Sequence, residues 1–179
     1  MNDKDIEYMH MALDEARRAA DLDEVPIGAV VVKDGEVIAR ACNRREIDND
    51  PAGHAEFLAM KQAARNLDAW RLSGCTVYVT MEPCIMCAGL MHQARIDRCV
   101  FGAPDPKAGA LGTLYAINAD QRLNHTFEAE GGVCQEESVA LLKQFFGRKR
   151  AATKQKRQKA QAVNEPNCNI ADTAVDCER

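Results

Sequence analysis

Three residues form the triplet His54-Ala55-Glu56, and 27 residues after Glu56 comes Pro83-Cys84-Ile85-Met86-Cys87. One imidazole and two thiolates make a zinc donor set. Three protein ligands leave the fourth tetrahedral position to water. Glu56 sits two residues from the candidate ligand His54, close enough to handle that water's protons without binding metal. The chemistry this set supports is hydrolytic, with zinc making water a nucleophile near neutral pH.

Other readings of the same residues stay open at this level. A Cys-x-x-Cys after a strand and opening a helix also suits a thioredoxin-like redox site. A closed structural zinc site, with Cys42, Cys75 or Cys99 as fourth ligand, would suit a zinc-stabilised RNA-binding module. Of the eight cysteines, only Cys84 and Cys87 carry a motif. Cys75, Cys99 and Cys134 are expected to be small core residues.

The elements that must carry these residues follow from periodicity and breakers. Ile6, Met9, Leu13, Ala16 and Ala20 recur at helical spacing, so 3–20 is expected to be an amphipathic helix, ended by Val25-Pro26. Residues 27–32 and 36–41 read as a hairpin around Asp34-Gly35. A polar loop, 44–53, leads to a helix over 54–65. Thr76 to Met81 is the clearest strand. Pro83 favours the first turn of a helix over 84–94, which sets both sulfurs on one face at a helix N-terminus. Residues 98–101 and 126–130 read as further strands. A glycine- and proline-rich loop covers 102–112, and 114–118 is ambiguous. A closing helix is expected over 134–146, with Val139, Leu142, Phe145 and Phe146 on its apolar side. Order is expected to fade beyond residue 160. This alternation indicates an α/β fold: a three-layer α/β/α sandwich on a mixed five-stranded sheet.

The chain has 179 residues and 46% hydrophobic content, enough for one domain with a packed core. No apolar run approaches the roughly 20 residues that span a bilayer. The polar start, Met1-Asn2-Asp3-Lys4-Asp5, lacks a secretory pattern. A cytoplasmic location without membrane attachment is therefore expected. Net charge is −4 but unevenly spread. Residues 1–147 carry 15 basic and 23 acidic groups, whereas 148–159 carry seven basic groups and no acid. The division is thus a domain over 1–147 and a basic helical arm over 148–179. Such an arm suits a polyanionic partner, or is simply a solvated tail.

Together the two motifs match the zinc deaminase signature His-x-Glu…Pro-Cys-x-x-Cys. With Glu24-Val25-Pro26-Ile27-Gly28-Ala29-Val30, Thr80 to Gly89, and Phe101 to Ala110, the chain resembles the bacterial tRNA-specific adenosine deaminases, of cytidine-deaminase-like fold. The resemblance covers about residues 3–157. It implies a substrate, the adenosine at the wobble position of a tRNA anticodon loop, converted to inosine. It also implies one Zn2+ per subunit held by His54, Cys84 and Cys87, with Glu56 as proton shuttle. Asn43 would hydrogen-bond the flipped base, while Ile27, Ala55 and Met81 would wall its pocket. Asp105 and Lys107 would contact neighbouring nucleotides, and Phe146, Arg148 and Arg150 would hold the anticodon loop. A homodimer is implied, with Met91 to Ile96 as interface. On residue chemistry alone, Asn43 or Asp105 could instead be a turn former, and Phe145 suits the core better than a stacking platform. Pro104 departs from the resemblance, standing where many members have arginine, as does Gly147, in a stretch that is often more basic. A deaminase of free guanine or cytosine on the same fold is the alternative.

Overall fold

A computed structural model of the chain describes residues 2–163, with side chains described to residue 158. The expected fading of order beyond residue 160 falls almost wholly outside the described residues. Two compact units divide the chain, Met1–Phe145 and Phe146–Arg179.

In the first unit, α1 (Asp3–Asp21) precedes a hairpin of β1 (Gly28–Lys33) and β2 (Glu36–Cys42). Then follow α2 (Ala55–Asn66), β3 (Cys75–Met81), α3 (Ile85–Ala94), β4 (Arg98–Ala103) and β5 (Glu128–Gly131). Helix α4 (Gln135–Val163) starts in this unit. The sheet order is β2-β1-β3-β4-β5. Pairings of β1 with β2 and β3 are antiparallel, whereas β3–β4 and β4–β5 are parallel. The parallel crossover from β3 to β4 through α3 sets the N-terminus of α3 at the carboxyl end of β3, where ligands bind in open α/β sheets.

Both sheet faces are covered, as the three-layer reading requires. Alternate residues of one strand point to opposite faces. Val31, Val77, Val79 and Cys99 pack with Ala59, Met60 and Ala63 of α2 and Ala88 and Met91 of α3. On the other face, Val30, Val32, Tyr78 and Val100 pack with Met9, Ala12 and Leu13 of α1. Asn2 caps α1 by accepting from the Asp5 backbone N–H at 2.8 Å. Buried Asp5 then accepts from Tyr78 (2.8 Å) and from both terminal nitrogens of Arg98 (2.8 and 3.0 Å). These bonds tie the first helix to the two central strands.

Four expectations change. Helix α4 runs to Val163 rather than closing at 146, because a single Gly147 costs only about 1 kcal/mol and the Lys, Arg, Gln and Ala residues after it are strong helix formers. Its inward residues are Ser138 and Phe145, with Leu141 against the core, and Phe146 is exposed. Cys134 lies outside the helix, half-buried with φ +53°, while Cys75 and Cys99 are fully buried as expected. Met91, His92, Ala94 and Ile96 are buried within the chain itself, so the 91–96 segment offers a partner little more than Gln93 and Arg95. Among the described residues, no helix is long and apolar enough to cross a membrane.

Candidate metal centre and active site

His54 is the N-cap residue of α2, and Cys84 is the N-cap residue of α3. Both are extended rather than helical, one residue later than the sequence pattern suggests for each helix start. Cys87 follows one turn into α3 and is fully buried. The helix starts converge so that Nδ1 of His54 lies 3.6 Å from each sulfur, Cys84 Sγ and Cys87 Sγ. All three donor atoms lie within 4.8 Å of one another.

These distances fit zinc. Tetrahedral bonds of about 2.3 Å to sulfur and about 2.0–2.1 Å to nitrogen require N···S separations of about 3.6 Å. Among the described residues, no fourth His, Cys, Asp or Glu joins the cluster, and Cys42, Cys75 and Cys99 are free elsewhere in the core. The donor set is therefore that of an open site rather than a closed structural one. The nitrogen facing the sulfurs is Nδ1.

Charge at the centre is arranged for a cation. A hydrogen bond from the Cys87 thiol, helped by His54, draws the Cys84 thiol down to about 3. The same bond, with burial, pushes Cys87 up. A dication held by these two sulfurs would displace their protons. The bond to Cys84 raises the His54 imidazole. Glu56, in the first turn of α2, is 4% exposed. Burial raises its carboxyl, and it also contacts the Cys87 side chain. A carboxyl so shifted holds and releases a proton closer to neutral pH than an exposed one does.

The expected pocket residues come from the surrounding elements. Ala55 is fully buried beside His54, and Ile27 and Met81 are half-buried at the start of β1 and the end of β3. Asn43, at the end of β2, is 4% exposed. Its backbone N–H donates to Ile27 O at 2.9 Å. Asp105 does form a turn: its Oδ1 accepts from the Lys107 N–H at 2.9 Å and its carbonyl from Gly109 N at 2.9 Å. Lys107 is exposed.

Two acids that the sequence pattern does not single out hold this scaffold. Glu82 is buried between Met81 and Pro83. It accepts from the backbone N–H groups of Asp105 (3.0 Å), Leu111 (3.0 Å) and Thr113 (3.1 Å), and from the Thr113 hydroxyl. Burial alone would raise its carboxyl, but these four bonds together hold it below the ordinary value. A Cβ on Gly109 would stand 2.3 Å from Glu82 Oε2, so only glycine admits the carboxylate there. Glu24 is fully buried before β1. The available sequence signal is an acid flanking an apolar strand run, which is too common to be read alone.

In the second unit, one face of α4 gathers Phe146, Lys149, Arg150, Thr153, Lys154 and Arg157. Arg148 is exposed and does not line this face.

A family model for MafB19-like deaminases matches residues 2–150. The tRNA-specific adenosine deaminase of Bacillus subtilis is 48% identical over 139 residues, which is 78% of this chain and 86% of that protein. The tRNA-specific adenosine deaminase of Agrobacterium fabrum is 45% identical over 143 residues, covering 80% of this chain and 94% of that one. A solved structure from a study of A-to-I editing by tRNA:A34 deaminases at the wobble position of transfer RNA superposes with a TM-score of 0.73 at 43% identity. It matches 76% of this chain and 99% of its own.

Proposed function

This chain belongs to the deaminase family that includes the tRNA-specific adenosine deaminases, and on that premise we propose that it hydrolyses adenosine to inosine at the wobble position of a tRNA anticodon. The observation that carries the reading is the 3.6 Å approach of His54 Nδ1 to both Cys84 Sγ and Cys87 Sγ. The buried carboxyl of Glu56 stands beside them. His54, Cys84 and Cys87 would hold one zinc ion per chain. Bound there, the ion supplies Lewis acidity and brings the pKa of water down to about 7.

Glu56 would take one proton from the attacking water and give it to adenine N1 as C6 is attacked; it would then take a second, from the oxygen now bonded to C6, and give it to the departing amine, which leaves as ammonia. Asn43 hydrogen-bonds the base edge, since an amide both donates and accepts. Ile27, Ala55 and Met81 enclose the ring. A wobble base is already largely unpaired, so extruding it costs less than flipping one from a duplex.

The 1–147 segment is the catalytic domain in this reading, and 148–179 is an RNA-binding arm. Lys107 supplies phosphate attraction, as do Arg148 and Arg150, and Phe146 supplies an exposed stacking face. The Asp105 carbonyl and carboxylate shape the loop that presents Lys107. The active form is a homodimer, to be checked by sedimentation equilibrium. The same reading takes the enzyme to the cytoplasm, where its substrate is.

The test is direct. Zinc-loaded protein is incubated with an anticodon stem-loop bearing wobble adenosine, and separately with free guanine, cytosine and adenine. Inosine in the RNA is expected. Turnover of free bases with none in RNA would replace this reading with the free-base alternative.

A further inference from the structure

Glu24 has its side chain fully out of solvent, on the segment joining α1 to β1. Its backbone N–H donates to Ala19 O at 2.9 Å, which fixes the residue to the end of α1. Each carboxylate oxygen has one N–H donor. Oε2 accepts from Asn43 Nδ2 at 2.9 Å, and Oε1 accepts from the Ile47 backbone N–H at 2.8 Å. Nothing in the zinc chemistry uses this group. Burying a carboxylate costs several kcal/mol unless it is well hydrogen-bonded, and an apolar residue of like volume avoids that cost.

We infer that Glu24 is a positioning residue that fixes the orientation of the Asn43 amide presented to the substrate base, an inference that rests on Asn43 contacting that base. A carboxylate accepts hydrogen bonds and cannot donate. The amide must therefore turn its nitrogen toward Glu24, because the flipped form would set Oδ1 against Oε2. One amide N–H is consumed, and the second N–H and the carbonyl oxygen remain in a defined order for a purine edge. The bond to Ile47 restrains the 44–53 loop that runs from Asn43 to His54. One buried acid thus couples base recognition to the segment leading into the metal ligand.

Glu24→Gln is the informative change, because it keeps the shape but supplies an NH2 that can face either end of the Asn43 amide. With wobble-adenosine stem-loop as substrate, kcat/KM is expected to fall about tenfold, with zinc still near one per chain. Glu24→Asp retains the accept-only chemistry and should fall less. Asn43→Ala alone is expected to lose at least as much, and adding Glu24→Gln to it should cost nothing further. Independent losses in the double variant, or loss of zinc in Glu24→Gln, would make Glu24 a merely structural acid and overturn the inference. A severe Asn43→Ala effect with a silent Glu24→Gln overturns the positioning role alone. An inert Asn43→Ala removes the base contact itself, and the inference with it. Nitrogen-15 NMR of the unaltered protein supplies a readout that needs no variant. One Asn43 side-chain proton should be protected from exchange before RNA is added; two freely exchanging protons would contradict the Glu24 bond.

Discussion

At the scale of single residues, three acids do separate work. Glu56 is the acid to which the proposed function assigns the proton transfers. It lies two residues from His54 in sequence yet outside the group of three donor atoms. Glu56→Gln should therefore keep zinc near one per chain while turnover falls by about 10²–10⁴. Zinc assay beside a single-turnover measurement checks this, and metal loss would make Glu56 a ligand. Glu82 belongs to the loop. Replacing it with Ala leaves three backbone N–H groups without their acceptor, and the fully or partly buried ones bear a desolvation cost of about 1–3 kcal/mol each. A loss of at least about 2 kcal/mol in urea unfolding is expected, and a loss below 0.5 kcal/mol would show that water replaces the carboxylate freely. Asp5 belongs to the frame. The hydrogen bond from Arg98 leads the effects that hold its carboxyl below the ordinary 3.8. Glu82 likewise lies below its ordinary 4.5. For groups depressed in the folded state, the stability they contribute is present above the unfolded pKa and is lost as pH falls through the folded one. As these two carboxylates protonate, the urea midpoint should thus fall below about pH 4.5. Asp5→Asn should lower the midpoint at pH 7 and shrink the acid-dependent part, and an unchanged pH profile would remove Asp5 from it.

At the scale of elements, the site depends on close approach between helices and sheet. A Cβ on Gly28 would stand 2.1 Å from Ala12 O and 2.4 Å from Ala16 N. The contacts are backbone atoms of α1, which cannot swing aside as a flexible side chain can. Gly28→Ala should therefore cost about 1–3 kcal/mol or more by overpacking. It should also lower zinc affinity less than stability, since the starts of α2 and α3, not α1, carry the candidate ligands. Thermal unfolding and zinc titration on the one variant separate the two. This contact is also where sequence reasoning stops. The apolar spacing of α1, the Asp34-Gly35 turn and Pro83 make the elements legible, because each is a local signal with a fixed period or a fixed φ. The His54-x-Glu56 and Cys84-x-x-Cys87 pairs make the candidate ligands legible, because metal chemistry restricts residue type so strongly. Glu24 and Glu82 are not legible. Their partners lie 19 to 31 residues away, and only the folded chain brings those N–H groups to them. The length of α4 is a different failure. The apolar pattern ends at Phe146, but helix propensity and charge continue without it.

At the scale of the whole molecule, charge is divided by position in the chain. The first 147 residues carry a net −8 and the next twelve a net +7. Four of those cations, Lys149, Arg150, Lys154 and Arg157, share one face of α4 with Phe146. Spacings of three and four residues produce that stripe on any helix. A phosphodiester partner meeting it releases counterions, and each phosphate neutralised on a single strand contributes about −0.7 to the slope of log K against log salt. Changing all four to Gln should thus reduce the slope for anticodon stem-loop binding by up to about 3, and deleting 148–179 should do at least as much. The loss of affinity should be large at 50 mM salt and small at 300 mM, because screening already removes the attraction there. The acidic body makes the contrast sharper. Without the arm its own field repels RNA, so binding by the shortened chain should strengthen, or hold steady, as salt rises. Fluorescence anisotropy across a salt series measures both slopes. Equal losses at every salt concentration would instead assign the arm a packing role, with its charges incidental to RNA.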